Sequence, residues 1–60
     1  MKENLLKKMK SEYDFYYRLS KSEWIDYDIR CQYKNISVTM AQIIESEDPS
    51  FTRNDYSYEP

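Results

Sequence analysis

The sequence predicts an all-α protein, a two-helix hairpin followed by an extended acidic tail, and three observations carry that expectation. Glycine is absent and the two prolines stand at 49 and 60, so residues 1–48 lack both of the strongest helix breakers. Apolar residues recur at helical spacing along two long stretches. The chain has sixty residues with a single cysteine and no histidine, which rules out an internal disulfide and serves metal ligation poorly. A chain this short buries only about 60% of the surface its unfolded form exposes. Packing against a second copy or another protein is therefore the expected way to widen a thin stability margin.

The first helix is predicted over residues 3–18. On a wheel of about 100° per residue, Leu5, Leu6, Met9, Tyr13, Tyr16, Tyr17 and Leu19 share one broad face, with Phe15 at its margin. Glu3, Lys7, Lys10, Ser11, Asp14 and Arg18 occupy the other. Glu3 with Lys7 and Asp14 with Arg18 are i,i+4 pairs in the favourable order.

Ser20-Lys21-Ser22-Glu23 reads as a capping box, with Leu19 and Trp24 at the two positions of a hydrophobic staple. A break before residue 21 follows, and a second helix over residues 21–46. Its stripe is Ile25, Ile29, Tyr33, Ile36, Met40, Ile43 and Ile44, the expected core face of the hairpin. A competing reading takes residues 36–40 as a β-branched strand, which has no obvious mate in so short a chain. Acids at 45, 47 and 48 followed by Pro49 end the helix, because they oppose the macrodipole and proline restrains its predecessor. The chain thus divides into a helical hairpin domain, residues 1–46, and a flexible acidic, tyrosine-containing tail, residues 47–60.

Trp24, Tyr27, Cys31 and Val38 form a second apolar strip on the predicted second helix, roughly opposite the isoleucines. A hairpin covers only one such strip, so these four are the candidate partner-binding residues, tryptophan and tyrosine being favoured at binding hot spots. Phe51, Tyr56 and Tyr58 are further contacts in the tail, since short acidic segments with spaced aromatics can order on binding. Seven tyrosines in sixty residues suit half-buried sites where one ring edge meets water.

Charge bounds the function. The net charge is -2, with four lysines and one glutamate in residues 1–10 and five acids against Arg53 in residues 45–60. Direct nucleic-acid binding is not expected, because Lys21, Arg30 and Lys34 are cancelled by Glu23, Asp26 and Asp28 where a recognition helix would lie. The charged start has no apolar run of signal-peptide length, and no segment approaches membrane-spanning length, so a cytoplasmic location without membrane association is expected. Catalysis is not: there is no histidine, no glycine-rich phosphate loop and no paired nucleophile and base. No cofactor is implied.

No motif ties the chain to a named family. Its composition, glycine-free and rich in Lys, Asn, Ile, Asp and Tyr, looks like that of the small accessory products of phages and other mobile elements of AT-rich bacteria. That similarity implies a non-catalytic protein that binds and inhibits or redirects a larger host protein. Two alternatives stand beside it: an acidic mimic of nucleic acid built on the tail carboxylates, and a structural component that assembles with copies of itself, a homodimer being the simplest case.

Overall fold

The computed structural model describes residues 2–60. It is an all-α hairpin of α1, Glu3–Lys21, and α2, Tyr27–Glu47, packed on each other, and no strand is present among the described residues. The strand reading of residues 36–40 is thereby set aside, because that stretch is continuous helix inside α2.

The break lies later than the capping signal places it. α1 runs on through Ser20 and Lys21, and the turn occupies residues 22–26, with Ser22 N–H donating to Leu19 O at 3.2 Å and Ile25 N–H to Ser22 O at 3.3 Å. Ser20 does not cap a new helix. Its hydroxyl donates to the carbonyl of Tyr17 at 2.6 Å, the back-bonding habit that serine adopts inside a helix, and the residue is fully buried. Asp26 is the N-cap of α2 instead, with its carbonyl accepting from Arg30 N–H at 2.9 Å. The Leu19–Trp24 staple is also absent, for Trp24 is 96% exposed.

The centre of the hairpin is small. Tyr13, Ala41 and Ile44 are its buried apolar residues, with Leu6, Met9, Met40, Phe51 and Tyr56 packed around them. Ser20 and Ser37 are buried alongside. The isoleucine stripe is thus not the core face as expected: Ile44 is buried, but Ile29, Ile36 and Ile43 remain 42%, 40% and 42% exposed. α2 is rotated so that Ser37, Ala41 and Ile44 face inward. Small residues at two of these positions leave room for a third layer, and the tail supplies it.

Residues 48–51 turn, with Phe51 N–H donating to Asp48 O at 3.0 Å, and the tail then runs without helix or strand along the groove between the helices. Lys10 and Asp48 are paired at 2.7 Å near the start of α1. Further on, Phe51 meets Tyr13 edge-on at 5.4 Å, and Tyr58 reaches Ser20 near the end of α1. Among the described residues no helix is long and apolar enough to cross a membrane.

Candidate functional site

Two faces of this hairpin differ in chemistry, and each is built by a different residue class. The tail-covered face is lined by hydroxyls. Tyr13 Oη accepts from the backbone N–H of Asn54 at 2.8 Å, while Tyr17 Oη donates to the carbonyl of Asp55 at 2.7 Å. Ser37 Oγ donates to Lys34 O and lies 2.8 Å from Tyr56 Oη; its single proton being used on Lys34 O, the phenol is the donor between them. Ser20 and Tyr58 repeat the same pattern one step nearer the turn.

The rings close over these bonds. Tyr17 receives Tyr56 and Tyr58 edge-on at 5.3 and 5.7 Å. Lys21 Nζ stands 5.2 Å from the Tyr17 ring centre and 5.5 Å from that of Tyr58, and Lys34 Nζ stands 5.8 Å from Tyr58 on its other flank. Burial pushes the Tyr56 phenol well above its ordinary value, so it remains a neutral donor through the physiological range.

The tail's charges are tied to the hairpin as well. Arg53 grips Glu45 in a bidentate pair at 2.9 and 2.7 Å; that contact lowers the Glu45 pKa and raises that of Arg53. Asp48 accepts from Lys10 at 2.7 Å and from the amide and hydroxyl of Ser50 at 3.1 and 2.6 Å, which holds its carboxyl down at about 2. Asp55 is lowered by the backbone N–H and then the hydroxyl of Ser57.

The opposite face is aliphatic. Ile29, Ile36 and Ile43 stand seven residues apart along α2, with Tyr33 and Met40 between them on the same side, half-buried. Tyr33 stacks on Tyr16 of α1 at 5.8 Å, and Tyr16 meets Phe15 edge-on at 5.5 Å, so the apolar surface is continuous across both helices. The three isoleucines keep about two fifths of their surface open to solvent.

The four residues expected to form one partner-binding strip are divided. Trp24 stands in the turn rather than on α2, nearly fully exposed. Tyr27 opens α2 and is 53% exposed, whereas Cys31 and Val38 are half-buried farther along. The Cys31 thiol one turn along raises the Tyr27 pKa, followed by burial and then by the Glu59 and Asp28 carboxylates. The three tail aromatics, Phe51, Tyr56 and Tyr58, are all in contact with residues of the hairpin itself.

The sequence assigns Ser20 a capping role and Ser37 none, whereas both hydroxyls face the tail. The signal for this is faint: a serine at a core-facing helical position has little reason to be there unless an external hydroxyl or backbone group meets it. Arg30 Nε is buried without a hydrogen-bond partner, an uncompensated polar atom close to the turn. Among the described residues no group of three His, Cys, Asp or Glu side chains is placed to hold a metal ion.

Comparison with protein-family models, with curated proteins and with solved structures finds no match to this chain.

Proposed function

We propose that this is a small non-catalytic binding protein of the cytoplasm which attaches to, and inhibits or redirects, a larger protein. The observation that carries the reading is Trp24, 96% exposed at the tip of the turn, followed three residues on by the half-exposed Tyr27 at the start of α2. Tryptophan and tyrosine anchor binding hot spots because they bring large apolar area with few rotatable bonds. Elsewhere in this chain rings contact other rings, as Tyr13, Tyr17, Tyr56 and Tyr58 do. Trp24 is instead held out on a turn braced at both ends by helix, which limits the ordering cost when a partner covers it.

The acidic-mimic alternative draws less support. Glu45 and Asp48, central to that idea, are paired with Arg53 and Lys10 of the same chain, and Asp55 is taken up by Ser57. Glu45 and Asp48, whose charge is offset by those cations, project little field toward a basic groove, while Asp55 stays ionised on its Ser57 bonds.

Affinity capture from a host-cell lysate with the wild-type chain and with a Trp24→Ala, Tyr27→Ala double variant tests the reading. The expected result is one protein retained by the wild type in moderate and in high salt, and lost with the double variant. Retention unchanged by the two substitutions, or abolished by salt alone, overturns it.

A further inference from the structure

We infer that the aliphatic face opposite the tail is a self-association surface, on which a second copy of this chain packs by two-fold symmetry to make a four-helix bundle. The inference rests on the binding-protein reading only in asking what face remains for a target, and it stands or falls on separate residues.

Four observations select a second copy as the occupant. Ile29, Ile36 and Ile43 are equally spaced about Ile36. A two-fold axis at Ile36 therefore sets Ile36 against its own copy, and Ile29 against Ile43 of the partner subunit, in both directions at once, as an isologous contact requires. The three isoleucines recur every seven residues, the repeat of a coiled-coil seam, in which apolar knobs enter holes of a facing helix, while Tyr33 and Met40 between them pack within the hairpin on Tyr16 and the core.

Charge agrees. One third of the whole chain is charged, yet residues 29–44 contain no acid and only two bases, Arg30 and Lys34. Lys34 reaches toward the Tyr58 ring on the tail side, and the exposed flanks of the ladder are Gln32, Asn35, Thr39 and Gln42. Two antiparallel copies of α2 thus meet without like-charge repulsion, which otherwise penalises self-pairing.

Area agrees as well. Ile29, Ile36 and Ile43 keep 42%, 40% and 42% of their surface exposed in the single hairpin, contiguous apolar area that a second helix pair would cover. The face is also the wrong kind for another extended segment. The groove that does hold such a segment meets its backbone with the hydroxyls of Tyr13 and Tyr17. Aliphatic side chains offer a strand's N–H and C=O groups no partner, but they accept the apolar stripe of a helix.

The symmetry has a functional consequence. Antiparallel pairing of the hairpins carries the two turns to opposite ends of the bundle, so each dimer presents two Trp24 sites facing apart.

Sedimentation equilibrium of the full chain over a wide concentration range tests this, with Ile36→Glu and Trp24→Ala variants alongside. The wild type and Trp24→Ala are expected to dimerise alike. Ile36→Glu should raise the dimer dissociation constant at least about 100-fold, since each dimer would set two carboxylates into a desolvated centre. Helical circular dichroism at high dilution should be the same for all three, because Ile36 is 40% exposed in the single hairpin. An Ile36→Leu variant, which keeps the apolar volume, should retain the dimer. A wild type that stays monomeric throughout, or a dimer that survives Ile36→Glu, overturns the inference. Neither result touches the Trp24 reading, whose own failure would be unchanged target capture by the turn variant.

Discussion

The two faces of the hairpin use apolar surface in opposite ways. The face under the tail is closed over Tyr13, Ala41 and Ile44 and is bonded to the tail through tyrosine and serine hydroxyls, while the face of Ile29, Ile36 and Ile43 is open. Isoleucine occurs on both, so hydrophobicity alone does not separate them. The difference lies in what each face must cover. An extended segment brings unpaired backbone groups with it, and burial without partners costs on the order of 1–3 kcal/mol for each. Only a surface carrying hydroxyls at the right places receives such a segment: Tyr13 and Tyr17 meet its backbone at Asn54 and Asp55, and Ser20 and Ser37 meet the phenols of Tyr58 and Tyr56. A helix has satisfied its own backbone and asks only for complementary shape. The closed face therefore belongs to the tail, and the open one suits another helix pair.

The largest expected effect breaks the closed face at its centre. Tyr13 is 2% exposed, packs on Phe51, and accepts the amide of Asn54. Tyr13→Ala removes the ring and orphans that amide, a change expected to cost about 4 kcal/mol, a large share of any sixty-residue domain's stability. Thermal unfolding followed by circular dichroism should show the cooperative transition lost or displaced far downward. Ile43→Ala on the open face, measured at high dilution, should shift the same transition only slightly, since Ile43 is 42% exposed there. Equal losses would mean that the faces do not differ in the single chain.

The helical hairpin itself was legible in the sequence, because the periodicity of α1 and α2 is long and no glycine or proline interrupts it. The position of the turn was not. A capping box is a local pattern, and Ser20 satisfied its hydroxyl on Tyr17 and Tyr58 instead, a contact between residues 38 apart in sequence. Which stripe of α2 faces inward was also hidden, since Ser37 and Ala41 look like neutral helix fillers until the tail is laid beside them. Trp24 and Tyr27 could be singled out by residue type. The separation of Trp24 from Tyr27, Cys31 and Val38 could not, because it depends on whether residue 24 belongs to the helix or to the turn.

A smaller effect sharpens the role of the hydroxyls. Tyr56→Phe keeps the ring against Tyr17 but removes the donor to Ser37. Ser37 keeps its bond to the Lys34 carbonyl, so only one contact is lost, and the expected destabilisation is about 1 kcal/mol. Its more telling sign is kinetic: amide hydrogens of residues 54 and 57, which donate to Tyr13 and Asp55, should exchange faster in the variant while those in the middle of α1 keep their rates. Faster exchange throughout would mean that the tail and the hairpin open as one unit.

The smallest effect concerns charge at the start of the tail. Asp48 is held at about 2 against an ordinary 3.8, first by Lys10 and then by the hydroxyl and amide of Ser50. A carboxyl depressed in the folded state adds stability that is fully present above its unfolded value and is lost as pH falls through its folded one, so this contribution should fade between about 4 and about 2. It is small, because the lysine of the pair is substantially exposed to water and salt. Carbon-detected NMR titration of the Asp48 carboxyl reads it directly. Lys10→Met removes the first cause and leaves the Ser50 bonds, so the midpoint should rise yet stay below the ordinary value, and the low-pH fading of stability should narrow with it. A midpoint that does not move in Lys10→Met would assign the depression to the Ser50 turn alone. The tail would then be anchored at its start by local geometry, and its docking would begin only at Phe51, where the closed face does.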